Sequence, residues 1–175
     1  MFELKPMDPE TYRQQTRRST LIIAATFMVL AMLLSTLVVQ LFGSPGGDNF
    51  PLNAVAVLVA LVLVAALTRY RFWSQPWMSA AAYGWQLKRS LMSVTNLMHH
   101  VEAGVKAGDS DAMKLLRFYH QGISQMYLLD ANTSSLSAMT REIDQHKEAM
   151  QAQGLDVEQP RLDPAWLESV KRYKA

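Results

Sequence analysis

The uncharged stretch Leu21–Phe42, which reads LIIAATFMVLAMLLSTLVVQLF, decides the fold of this chain. At ~1.5 Å rise per residue, a helix of this length reaches roughly 33 Å, against a bilayer hydrocarbon core of about 30 Å. The competing interpretation is a cleaved signal peptide, whose apolar region is usually only about 7–15 residues long and ends at a small-residue cleavage site. The motif GSPGG follows instead. The stretch therefore predicts a transmembrane helix.

A second uncharged run occupies residues 50–68 and contains the uninterrupted apolar segment AVAVLVALVLVAAL. The connection between the runs, residues 43–49, holds a proline and three glycines, which are typical of a turn. Two such runs joined by a short turn predict a transmembrane hairpin. The predicted organisation is an N-terminal arm (1–19), the hairpin (20–68, with spans 21–42 and 50–68) and a helical domain (69–175).

The cationic residues beside the two runs predict the orientation of the hairpin. Lys5, Arg13, Arg17 and Arg18 precede the first run, further cations follow the second from Arg69 onward, and the connection has none. Because Lys and Arg flanks stay on the cytoplasmic side, both termini are expected there. The predicted location is the bacterial cytoplasmic (inner) membrane, with the lipid bilayer as one partner.

Small residues within the two runs are candidates for helix packing. Ala31 and Ser35 lie one turn apart on the first run, as do Ala56 and Ala60 on the second, and small side chains let transmembrane helices approach closely. Neither run contains an ionisable residue, so an anchor is expected rather than a transport path.

Composition excludes several classes of function. The chain has no cysteine, so disulfides, thiolate catalysis and cysteine-bound metal clusters are excluded. The formal net charge of +2 on 175 residues is too small for a nucleic-acid-binding surface, which normally shows a strong basic excess. Nucleic acid is therefore not an expected partner.

The residues after Pro76 predict helices that pack along their length. Apolar and small residues recur at alternating steps of three and four up to Val105, which is a heptad pattern and predicts one helix of about 30 residues. The packing candidates of this seam are Leu87, Leu91, Val94, Met98 and Val101.

Further helices are predicted from capping residues. A second helix starts at Asp109 or Ser110, a third follows Asn132, and a short fourth starts at Pro164 with Asp163 as its cap. The fold class is therefore all-α: a two-helix transmembrane hairpin followed by a cytoplasmic bundle of three long helices and a short C-terminal helix.

Few residues are candidates for chemistry. His99, Glu102, His120, Glu142 and His146 could place imidazoles and carboxylates on helix faces, but the Glu-x-x-His spacing of di-iron bundles is missing. A phosphate-binding loop and a zinc-protease motif are missing as well. We expect no catalytic residues, no cofactor and no metal, and we expect His146 to be partly buried and bonded to a neighbour.

The opening residues MFELKPMDPETYRQQTRRSTLIIAA, taken with the two-span layout and the helical tail, resemble an uncharacterised family of small two-span inner-membrane proteins of gamma-proteobacteria. The resemblance covers most of the chain and implies a bacterial cytoplasmic membrane. It implies no activity and no site residues.

Two hypotheses about function remain. The favoured one is a non-enzymatic, membrane-anchored interaction or accessory protein, whose cytoplasmic helices dock another copy or a subunit of a membrane complex. Its basis is the seam of the first cytoplasmic helix, which is longer than one short helix can cover. The alternative is a small regulator or enzyme with a metal or small-molecule site in the bundle, built on the histidines and glutamates named above.

Overall fold

The structure is a computed structural model and describes residues 2–173, most of which are helical. The helices are α1 (Pro9–Phe42), α2 (Phe50–Leu67), α3 (Ser79–Thr95), α4 (Met98–Lys106), α5 (Ser110–Leu129), α6 (Thr133–Ala152) and α7 (Pro164–Val170). Strands β1 (Phe2–Glu3) and β2 (Arg161–Leu162) pair antiparallel. The predicted all-α fold class is confirmed, with this strand pair as a small addition.

The chain divides into two compact units, at different points from the division expected from sequence. The hairpin unit is Gln14–Ala82, and the helical unit combines Met1–Arg13 with Tyr83–Ala175. The first residues of the chain thus belong with the helical unit rather than forming a separate arm, because β1 pairs with a strand near the other end of the chain.

Two helices are long and apolar enough to cross a membrane. They are Pro9–Phe42 and Phe50–Phe72, both with a mean hydropathy of 2.6 in their most apolar window. The second includes a π-helical turn, Thr68–Phe72, that continues α2 and carries the first cations after the apolar run.

Helix α1 begins well before the apolar run, within the segment expected to be an arm. The Asp8 carboxylate accepts a hydrogen bond from the Thr11 N–H at 2.7 Å, and Pro9 occupies the first turn, where its missing N–H costs nothing. Hydrogen bonds from the Thr11 N–H and side chain, helped by the charge of Arg13, lower the pKa of Asp8, in keeping with a capping carboxylate. The Asp-Pro-Glu sequence is the signal for this start.

Inside the hairpin unit, one face of α2 is covered. Ala56, Ala60 and Val64 are buried at successive turns, and on the same face Asn53 accepts a hydrogen bond from the Ser35 hydroxyl of α1 at 2.5 Å. Ala31 is half-buried.

The predicted helix of about 30 residues is interrupted. A 3-10 turn, Pro76–Met78, starts it, and two turn residues, Asn96 and Leu97, separate α3 from α4. Just before the break, the hydroxyls of Ser93 and Thr95 donate back to backbone carbonyls at 2.6 and 3.0 Å, a bond that bends helices. The prediction of one continuous helix is therefore wrong, although the heptad spacing of the apolar residues is kept across the break.

The seam residues are covered within the chain. Leu87, Leu91, Val94 and Val101 are buried and Met98 is half-buried. Helix α5 provides much of this cover, because Gly122 lets the tips of Leu87 and Leu91 approach its backbone. The long seam is therefore not by itself evidence for a partner.

The predicted caps of the later helices are present. Asp109 accepts from the Ala112 N–H at 2.9 Å, Asn132 from the Ser135 N–H at 3.2 Å, and Asp163 from the Ala165 N–H at 2.8 Å. Helix α5 is the centre of the helical unit, and its inner face carries Leu115, Leu116 and Phe118.

Candidate functional site

The helical unit contains a pocket of about 590 Å³ between the N-terminal residues, α5, α6 and the segment before β2. This volume falls within the usual range for small-molecule sites, about 300–1,000 Å³. Its apolar walls include Leu4, Pro6, Met7, Leu128, Leu129 and Ile143. Its polar and charged residues are Lys5, Arg117, His120, Gln121, Ser124, Gln125 and Glu158.

Backbone hydrogen bonds hold the N-terminal residues in place as one wall. The Leu4 N–H donates to the Pro160 carbonyl at 2.7 Å and extends the pairing of β1 with β2. The Lys5 N–H donates to the Tyr83 hydroxyl at 3.1 Å, and the Lys5 carbonyl accepts from the Gln125 amide at 2.5 Å. The wall is therefore tied to both α3 and α5.

The segment before β2 forms another wall and is tied to α5 by two side chains. Arg117 Nε donates to the Val157 carbonyl at 2.7 Å. The Gln121 amide donates to the Glu158 carboxylate at 2.9 Å and accepts from the Gln159 N–H at 3.0 Å. Arg117 and Gln121 are one turn apart, so the same face of α5 holds the wall and lines the pocket.

Arg117 is a buried cation without an acidic partner. Only 7% of the residue is exposed, and no ion pair joins its guanidinium to a carboxylate of residues 2–173. Buried charges are normally paired, because removing an ion from water costs several kcal/mol. One backbone carbonyl satisfies one of the five N–H donors of the guanidinium.

His120 is fully buried, and neither of its ring nitrogens has a hydrogen-bond partner among the described residues. Its Nε2 is 3.6 Å from Glu142 Oε1, beyond hydrogen-bonding distance, and the glutamate is 68% exposed. Burial, reinforced by the nearby His146 and Arg117, lowers the pKa of His120 from 6.5 to about 4. The ring is therefore neutral at pH 7, and the contact with Glu142 is not a salt bridge.

His146 packs edge-on against His120, with 5.2 Å between ring centroids. Its Nε2–H donates to the Met113 carbonyl at 3.0 Å, as expected of a histidine bonded to a neighbour, and the residue is buried rather than partly buried. Burial lowers its pKa, and the bond to Met113 opposes the shift. The two rings thus differ: one is satisfied, and the other lines the pocket unsatisfied.

The structure brings together some of the residues of the sequence-based alternative site and separates others. His120, Glu142 and His146 form one cluster, whereas His99 and Glu102 are exposed on α4. Within residues 2–173, no group of three histidine or acidic residues could hold a metal ion.

Sequence reasoning missed Arg117 and the N-terminal wall. Arg117, Gln121, Ser124 and Gln125 follow helical spacing, which in a sequence is typical of a solvent-facing stripe. This face of α5 becomes a pocket because residues more than a hundred positions earlier in the chain pack beside it. No pattern within the α5 sequence indicates that contact.

No curated protein matches the chain, and no solved structure matches it. A family model matches residues 2–167, which is nearly the whole chain, and its description is "Protein of unknown function (DUF3087)". In agreement with the resemblance of its opening residues to an uncharacterised family, this chain belongs to the DUF3087 family.

Proposed function

We propose that this protein is a membrane-anchored, non-enzymatic binding protein whose helical unit takes up a small molecule in the pocket beside α5. The observation that carries the proposal is that two groups line one pocket: His120, whose buried ring nitrogens have no hydrogen-bond partner among the described residues, and Arg117, which is 7% exposed and has no carboxylate partner there. An imidazole buried without a hydrogen bond is costly, and a ligand that bonds it and pairs with the guanidinium offsets that cost.

The membrane part of the proposal rests on the two apolar helices and their flanking charges. Both helices are long enough to span, the connection between them lacks Lys and Arg, and cations flank their other ends. We propose a hairpin in the bacterial cytoplasmic membrane with both termini cytoplasmic. The anchor then tethers the helical unit to the membrane.

Analysis of bound small molecules tests the proposal. Ser124 lines the pocket and its hydroxyl only bonds back to the His120 carbonyl, so Ser124→Phe fills the space and sacrifices no contact with another segment. Wild type and variant are extracted from their native membrane in polymer-bounded lipid discs, and mass spectrometry compares the small molecules released.

The expected result is a compound enriched with wild type and lost from Ser124→Phe. Ser137→Phe is the matched control, because Ser137 is exposed on α6 outside the pocket. Identical extracts from all three proteins would show that the pocket holds no resident ligand, and the proposal would be wrong.

Partner docking is a second candidate function, and exposed apolar side chains of the helical unit favour it. Met92 is 63% exposed and Leu128 is 47% exposed. Crosslinking in native membranes tests this candidate: a specific adduct through the helical unit supports it, whereas a monomer without adducts contradicts it.

A further inference from the structure

The chemistry of the pocket also identifies a class of ligand. Resting on the proposed function, we propose that the ligand is a singly charged organic carboxylate with an apolar chain. Its carboxylate bonds the Arg117 guanidinium beside His120, and its chain lies along the apolar walls.

The charge of the ligand follows from the charges around the pocket. The acidic groups nearby are solvated: Glu142 is exposed, and the exposed Glu158 is bonded by Gln121. The other cation of the lining, Lys5, is exposed too. Arg117, which is 7% exposed, is thus the less exposed cation of the lining, and no ion pair joins it to a carboxylate of residues 2–173, so a single negative charge on the ligand would balance it.

The shape of the donor groups favours a carboxylate. A guanidinium is a planar fork that bonds both oxygens of a carboxylate, and Arg117 uses only Nε for the Val157 carbonyl. His120 is one turn further along α5 and offers a ring nitrogen without a partner. A neutral imidazole carries one N–H, so it adds one donor to a carboxylate oxygen.

The remaining lining favours an apolar chain. Leu4, Met7, Leu128, Leu129 and Ile143 line the pocket along with the polar group. Each methylene transferred from water to such a surface contributes about 0.8 kcal/mol, or roughly fourfold in affinity. A ligand with one charged end and an apolar body uses both parts of the lining.

A matched pair of ligands tests the inference. Hexanoate and hexanamide have nearly the same shape and differ in charge, and both are soluble enough to avoid heavy partition into lipid. Their affinities for the full chain in lipid nanodiscs are measured by calorimetry, with empty nanodiscs as the blank. We expect hexanoate to bind about tenfold more tightly or better, since a charged hydrogen bond is worth about 1.5–3 kcal/mol. Octanoate should bind more tightly still.

Substitution of Arg117 locates the effect. Arg117→Gln should abolish the preference for hexanoate, and Arg117→Lys, which keeps the charge and loses the fork, should retain only part of it. Arg141→Gln is the matched control, because Arg141 is exposed on α6 and does not line the pocket. A melting curve shows whether Arg117→Gln is folded. If it is not, the preference for hexanoate over hexanamide is compared between wild type and Arg117→Lys instead.

The outcomes separate this inference from the proposed function. If hexanamide binds as tightly as hexanoate and both are lost in Ser124→Phe, the pocket binds ligands but the anion inference is wrong. Tighter binding of hexyl phosphate than of hexanoate would overturn the choice of a singly charged carboxylate. If no member of the series binds wild type, the inference is wrong, and the extracts from native membranes decide separately whether the pocket holds another class of ligand.

Discussion

Arg117 and His120 lie one helical turn apart on α5, and both are polar groups that the fold buries without full compensation. A core chosen for stability alone would place apolar side chains at these positions, because an unsatisfied buried polar group costs about 1–3 kcal/mol. Arg117 also anchors the segment before β2 through the Val157 carbonyl, so a structural contact and the proposed binding role coincide at this position.

Replacement of His120 should separate stability from binding. Burial lowers the pKa of His120 to about 4 in the folded protein, whereas the unfolded chain binds its proton near pH 6.5. Stability is therefore full above pH 6.5 and is lost as the pH falls toward 4, by about 3 kcal/mol for this group. His146, whose pKa is also lowered, contributes in the same direction.

His120→Leu should remove this part of the acid sensitivity and leave the protein at least as stable at pH 7. The measurement is the unfolding free energy at pH 7 and at pH 4.5 in the same detergent, with the exposed histidine variant His99→Gln as control. A pH dependence of His120→Leu equal to that of wild type would contradict the depressed pKa.

At the scale of elements, the start and end of most helices follow from local chemistry, whereas the break between α3 and α4 does not. Asp109 and Asp163 could be identified as caps because an Asp before a helix accepts from the first-turn N–H groups. Asn96 and Leu97 lie inside an unbroken heptad pattern, which does not indicate a break, and Val94 and Val101 on either side of it belong to one core.

Two mid-helix glycines should respond differently to alanine. Both gain about 1 kcal/mol of helix propensity. A methyl at Gly104 would lie 2.7 Å from the Ala112 Cβ, which cannot move aside, whereas one at Gly122 would meet the tip of Leu91 at 2.8 Å. We expect Gly104→Ala to lose about 1 kcal/mol or more of unfolding free energy and Gly122→Ala to be close to neutral. Thermal unfolding checks the pair, and a reversed order would show that α4 and α5 are not in close contact.

The N-terminal wall should loosen when its aromatic anchor is removed. The Phe2 ring lies 5.7 Å from that of Tyr83 and 6.5 Å from that of Phe118. Phe2→Ala should cost about 1–2 kcal/mol, less than a fully buried phenylalanine. Hydrogen exchange at the Leu4 and Lys5 amides should then be faster, with Glu148→Ala, which is exposed on α6, as control. Unchanged exchange would mean that the strand pairing alone holds the wall.

At the scale of the whole molecule, the two units differ in the character of their exposed side chains. The apolar residues of α1 and α2 are largely exposed on the surface of the structure, including Leu33 at 62% and Leu58 at 61%, which suits lipid rather than water. The polar side chains that line the pocket lie in the other unit.

The absence of cysteine allows a clean test of the orientation. Pro45→Cys, in the connection between α1 and α2, should react with a membrane-impermeant maleimide in intact cells. Gln151→Cys, exposed on α6, should react only after the membrane is permeabilised. Equal labelling of both positions in intact cells would refute the proposed topology.

The sequence by itself determined the two apolar helices, the caps and the all-α class, because each depends on residues close together in the chain. A hydrophobic run, a turn and a helix cap each lie within one continuous segment of the chain, so they can be recognised without a fold. Only the tertiary structure decided that Leu4 and Lys5 close a pocket over Arg117 and His120. A site of this kind depends on contacts between distant segments, and its cost appears only once burial has removed water from the groups involved.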